Sequence, residues 1–164
     1  MLPWNQRPIE VANLFNPAYC GLLLRQAVGG YQLASGRGMD YAMAFVVLPV
    51  VLHKNTREAL PNILATKLHV WMQRNHQVRI GFAERMQNMV QITKEALLFA
   101  LQHGVLALNG EGALIAGPHA LGDYSVPKSS EAAKCAKQAE FVGRWFADAG
   151  SPATFLSTWG IKMN

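Results

Sequence analysis

Apolar residues recur along most of this chain at the three- and four-residue spacing of a helix face. Trp4 to Asn13 forms an opening arm in which Pro8 can begin a short helix, 9–15, since its missing amide hydrogen costs nothing there. Asn16-Pro17 is a cap followed by a first-turn proline. It predicts a helix to about Val28, with Gly29-Gly30 as its stop. Asp40 caps a helix to about Leu48, which Pro49 kinks or breaks. That segment is apolar on every side, so it belongs at the centre of a core. Asn55 and Thr56 cap a short helix that closes at Leu60-Pro61, and further helices are read over 64–75 and 78–89.

The next stretch organises the rest. Thr93 has an acceptor oxygen suited to starting a helix, Glu95 suits the positive first turn, and Gly104 supplies a left-handed stop. Positions 96–101, Ala-Leu-Leu-Phe-Ala-Leu, are apolar all round, which predicts a buried helix. Two short apolar runs follow, split by Asn109-Gly110, a pair suited to a tight hairpin turn. Ser130 then caps a helix from Glu131 to Ala149, and Ser151-Pro152 starts a last one to about Trp159. The expected fold class is mostly α with a small β-hairpin (α+β). It is read as one domain over 1–164: an N-terminal helical arm (1–16), a winged-helix-like core (17–117) and C-terminal helices (129–164).

A helix that reads a DNA groove needs polar side chains on its outer face, and a wing that grips phosphate needs Lys or Arg. From Gln102 to Pro127 there is neither, and the charged residues are Glu111 and Asp123. Composition points the same way. Charged residues make up 15% of the chain, against about 25% in ordinary soluble proteins, while 51% are hydrophobic. That deficit implies a surface partly covered by other polypeptides. The net charge of +5 is spread along the sequence with no basic run.

Cys20 and Cys135 lie far apart in apolar helical patterns and read as reduced core thiols of a cytoplasmic protein. The N-terminus lacks the basic-then-apolar order of a signal peptide, and the longest apolar run, 41–52, is too short to cross a bilayer. No Gly-x4-Gly-Lys-Ser/Thr loop, Gly-x-Ser-x-Gly elbow or His-Glu-x-x-His pair occurs. His69 and His76 would share a face only if their helix were continuous, and two ligands do not make a metal site. Glu84 and Glu95 show no partner in the sequence. Trp71 and Trp145 occupy core positions, whereas Trp4 and Trp159 lie near the ends, free to dock on the body or on another protein. The expectation is a chain without catalytic, metal or cofactor sites.

Several blocks carry a resemblance. Trp4-Asn-Gln-Arg-Pro through Leu24, Leu48-Pro-Val-Val-Leu-His-Lys-Asn-Thr-Arg57, Ile80-Gly-Phe-Ala-Glu-Arg85 and Thr93-Lys-Glu-Ala-Leu-Leu-Phe99 are similar to the middle component of bacterial three-component ABC ATPase systems. The likeness runs from Trp4 to about Gly117, with a weaker tail. It implies a non-enzymatic adaptor beside an SMC-like ABC-type ATPase subunit and an effector subunit, often a nuclease, in Lamassu-like anti-phage defence, with DNA engaged through the complex. It carries no catalytic residues. On this reading the partner-binding candidates are Trp4, Arg7, Leu108, Leu114 and Trp159. The alternative is a winged-helix DNA-binding protein, with Lys128, Lys134, Lys137 and Arg144 along a phosphate path.

Overall fold

In the computed structural model the longest helix is the one the sequence cuts short. The structure describes residues 2–119 and 129–162, apart from the side chains of Trp4, Glu10, Val11 and Leu14. Helix α1 spans Ile9–Leu14 and α2 spans Pro17–Ser35. Asn16 caps α2 as expected: its Oδ1 accepts from the amides of Ala18 and Tyr19. Gly29-Gly30 does not stop it. The helix runs through both glycines and ends at Gly36, whose left-handed φ of 69° closes the last turn.

The two glycines persist in α2 because a second helix lies against it. Helix α8, Glu131–Phe146, packs along α2 more extensively than any other pair of elements does. A Cβ on Gly30 would stand 2.4 Å from the carbonyl oxygen of Glu140, and one on Gly143 would stand 1.9 Å from the carbonyl oxygen of Ala27. The backbones touch there. The conformational cost of glycine inside a helix is offset by the contact it permits.

Helix α3, Tyr41–Val51, is capped by Asp40 and buried from Met43 to Val51. It continues through Pro49 because the one lost amide bond leaves the following turn intact. Helix α4 is Lys54–Ala59, and its cap is His53 rather than Asn55 or Thr56. Helices α5 (Leu68–Arg74) and α6 (Phe82–Asn88) are shorter than the apolar spacing predicts. A 3-10 turn over His76–Arg79 and the left-handed Gly81 separate them. His69 and His76 therefore share no helix.

Helix α7 runs Val90–Gln102 and starts a turn before Thr93. Thr93 is fully buried inside it rather than capping it. His103 and the left-handed Gly104 end it, and β1 (Leu106–Leu108) pairs antiparallel with β2 (Leu114–Ala116). The connection is wider than a two-residue turn. The amide of Asn109 donates to Ala113 O, while its side-chain oxygen accepts from the amides of Glu111 and Ala113. Met39, between α2 and α3, exchanges two backbone hydrogen bonds of 2.8 Å with Leu114. The fold is mostly helical with a small two-stranded antiparallel sheet.

Helix α9, Pro152–Thr158, closes the core. An aromatic cluster joins Trp71, Phe82, Trp145, Phe146, Phe155 and Trp159. Ring centroids stand 4.7 Å apart for Phe82–Trp159 and 5.2 Å apart for the edge-on Trp71–Trp145 pair. Trp71 Nε1 donates to Ala59 O and Trp145 Nε1 to Thr66 O, so each ring has both an apolar body and a paired polar edge. The C-terminal helices thus belong to the same core as α2 and α3. No helix of the described residues is long and apolar enough to cross a membrane.

The helix contact yields the first expectation. Gly143→Ala should destabilise the fold by about 3 kcal/mol, the upper range for overpacking against backbone that cannot yield. Gly110→Ala, where a Cβ meets nothing within 4 Å, should stay within about 0.5 kcal/mol. Urea unfolding of both variants checks the contrast, with an unchanged m-value expected for each.

Candidate functional site

The arginine that sequence reasoning turns outward, Arg7, is held by one of the protein's own carboxylates, and so is Arg57. Arg7 is a proposed partner contact, yet its side chain is only 3% exposed. Its Nη2 meets Glu95 Oε1 at 2.6 Å, and its Nε donates to Leu2 O at 2.8 Å. Glu95 therefore has a partner after all: the pair pins the N-terminal arm to α7. Arg57 is built alike. Its Nη1 donates to Val51 O at the end of α3, and Nη2 meets Glu131 Oε2 at 2.6 Å. These pairs offset the cost of burying guanidinium groups that would be expensive to bury alone, although Arg7 Nη1 has no hydrogen-bond partner.

Two further contact candidates are corrected. Trp159 is wholly buried in the aromatic cluster, and Leu114 is wholly buried where β2 meets Met39. A position near the chain end does not decide exposure when the terminal helix closes the core. Leu108 is 52% exposed and remains available. Lys128 and the side chain of Trp4 lie outside the described residues. Lys134, Lys137 and Arg144 are exposed along one side of α8, and Lys134 Nζ is 3.7 Å from Glu131 Oε1.

Helix α7 is not buried all round. Ala96, Leu97 and Ala100 face the core, but Leu98 is 57% exposed in a row with Gln91, Lys94 and Gln102. Leu98 on α7 and Leu108 on the hairpin are bare apolar positions of one structural unit. Leu33, Ile63 and Ile80 are bare elsewhere.

A chemically richer place was missed by the sequence reading. His53 Nδ1 lies 2.7 Å from Thr56 Oγ1 and 3.3 Å from the Thr56 amide nitrogen. Arg85 Nη2 donates to the same Oγ1 at 3.2 Å. The hydroxyl accepts from the guanidinium and donates to Nδ1, which leaves the proton of a neutral imidazole on Nε2. Burial, and secondly the charge of Arg85, holds His53 below its ordinary value near 6.5. Burial also lowers Arg85, which lies 5.1 Å over the Phe82 ring. The signal was present: His53 stands three residues ahead of Thr56, the spacing of a capping pair, with nitrogen in place of the usual side-chain oxygen.

Beside this relay is a cleft of about 370 Å³, lined by Phe15, Leu52, His53, Gly81, Glu84, Arg85, Asn88 and Met89. His53 and Arg85 also line a smaller cavity of about 210 Å³ under Ile80. Among the described residues no three of His, Cys, Asp and Glu gather to hold a metal ion. Burial, with a lesser contribution from Glu95, pushes the Cys20 thiol up to about 12, so it stays protonated and inert at neutral pH.

Two expectations follow from these polar contacts. Glu95→Gln should cost about 1–2 kcal/mol, because it leaves the Arg7 guanidinium with a neutral partner. It should also speed limited proteolysis of the arm before Pro8 relative to cleavage elsewhere. For His53 the folded state disfavours the proton. Its contribution is complete above pH about 6.5 and is lost as pH falls through that value toward the lowered folded one. The urea midpoint should therefore drop between pH 7.5 and 5, with a shallower drop in His53→Gln.

Comparison with known proteins adds one finding. The family model described as ABC-three component (ABC-3C) system Middle Component 3 matches residues 4–163. No curated protein and no solved structure matches the chain. With nearly its full length covered, and in accord with the resemblance carried by its Trp4–Leu24, Leu48–Arg57, Ile80–Arg85 and Thr93–Phe99 blocks, the chain belongs to the middle component 3 family of ABC-three component systems.

Proposed function

We propose that this middle component is a non-enzymatic accessory subunit. It binds an SMC-like ABC-type ATPase and an effector, a nuclease, in cytoplasmic anti-phage or anti-plasmid defence. The observation that carries this reading is that Leu98 and Leu108 are both bare, the first on a helix row whose one cation is Lys94, the second on a hairpin with no Lys or Arg from Gln102 to His119. A surface of that kind suits apolar contact with protein and offers phosphate little. The order of α2, the Met39 bridge, α3, α7 and the hairpin supports a winged-helix-like core in which α4, α5 and α6 are insertions. The inward pairing of Arg7 and Arg57 further supports it, since neither is available for catalysis or for phosphate.

A second reading has its own observation. Lys134, Lys137 and Arg144 are exposed on one side of α8, and only Lys134 is within ion-pair distance of a described carboxylate. That face could lie along a nucleic-acid backbone within the complex.

One experiment separates the two. The chain is co-expressed with the ATPase and effector encoded beside it, and co-purification is measured for wild type, Leu98→Asp with Leu108→Asp, and Lys137→Glu with Arg144→Glu. The leucine variant should lose about tenfold or more in affinity, the equivalent of 1.4 kcal/mol. The α8 variant should bind as wild type does. A wild-type chain that fails to co-purify at gentle salt, or whose DNA affinity falls steeply with salt and depends on α8, overturns the adaptor reading in favour of the second.

A further inference from the structure

The cleft beside Arg85 contains an unmet electrostatic demand. Arg7 and Arg57, the buried cations described above, each meet a carboxylate oxygen at 2.6 Å. Arg85 meets none among the described residues. Its Nη2 donates to the Thr56 hydroxyl, a neutral acceptor, and its Nε is buried without a hydrogen-bond partner. Glu84 is its neighbour in sequence and lines the same cleft, but it is exposed and forms no ion pair with it. Arg85 is half-buried, and a guanidinium partly withdrawn from water with no anion beside it is less basic than usual. A carboxylate brought into the cleft would supply that anion.

The rest of the lining states what should accompany the carboxylate. Phe15, Leu52 and Met89 are apolar walls, and the backbone at Gly81 adds no side chain. Met89 is a pliable surface for an apolar group of uncertain shape. At about 370 Å³ the cleft is near the small end of ligand sites, which begin at roughly 300 Å³. It has room for one large side chain with its carboxylate attached.

We infer that this cleft is a docking pocket for a partner polypeptide and receives its chain-terminal apolar residue, such as Phe, Leu or Met. The side chain lies against Phe15, Leu52 and Met89, and the terminal carboxylate meets Arg85. A chain terminus is the smallest protein unit that puts an apolar group and a carboxylate within one residue. Fork-shaped pairing with guanidinium gives that contact direction as well as strength. The inference rests on the accessory-subunit reading above and names one pocket by which a partner is held.

The test uses the full chain, labelled with nitrogen-15, and N-acetyl-L-phenylalanine as the probe. Saturable shifts are expected at Gly81, Met89 and the Arg85 Nε–H. N-acetyl-L-phenylalaninamide, which lacks the charge, and N-acetylglycine, which lacks the ring, should each bind about tenfold more weakly. Arg85→Gln should abolish the preference for acid over amide. Two exposed rim substitutions that spare the fold keep the test clean: Asn88→Asp should weaken the acid, and Glu84→Gln should tighten it by about twofold. Equal binding of acid and amide, or shifts away from the cleft, overturns the inference. Co-purification with the adjacent ATPase and effector then places the result. If wild type, Arg85→Gln and Asn88→Asp all co-purify equally, the pocket inference fails while the accessory-subunit reading stands. If wild type itself does not co-purify, that reading fails and takes the docking role with it.

Discussion

The rest of the molecule depends on a contact in which no side chain takes part. At Gly30 and Gly143 the backbones of α2 and α8 come so close that a single added carbon would overlap a carbonyl oxygen. Dense packing makes such a contact sensitive to one methyl group. It also sets the positions of everything that α2 and α8 carry. Helix α7 lies against another part of α2, where a Cβ on Gly21 would stand 3.3 Å from the carbonyl oxygen of Ala96. Glu131, at the start of α8, reaches Arg57 beyond the end of α3. Through α2 and α8 the N-terminal arm, the central apolar helix and the hairpin share one frame.

Features that depend on immediate neighbours were legible in the sequence. Asn16, Asp40, Ser130 and Ser151 each place an oxygen on a first-turn amide, as their position before an apolar-periodic run implies. Helix α3 reads as central because nothing polar interrupts it, and it is central. Features that depend on distant chain were not legible. Gly29-Gly30 has the form of a stop unless α8 is known to lie across it. Thr93 has the form of a cap, but it sits fully buried in the first turns of α7, where tertiary packing overrides its local preference. Arg7 and Glu95 are 88 residues apart, and Trp159 stands next to the terminus; neither distance reveals a neighbour in space.

The same division applies to the candidate site. The absence of Lys and Arg along the hairpin is visible in the sequence, and with Leu98 and Leu108 bare it has a structural counterpart. The cleft at Arg85 is not visible there. It gathers Phe15, the His53 region and α6 from three separate stretches, and the relay through Thr56 exists only once α4 and α6 are in contact. Two arginines, Arg7 and Arg57, are turned inward onto the protein's own carboxylates, while Leu98 and Leu108 stay bare.

The bridge between Met39 and Leu114 has a mechanical consequence. Both backbone groups of Met39 are tied to β2, and the next residue, Asp40, caps α3. A load applied to the hairpin tip is therefore delivered to the root of the most deeply embedded helix, with a single rigid peptide as the lever. The hairpin and the buried helix are thus joined through one residue, so a contact at the tip also reaches the interior.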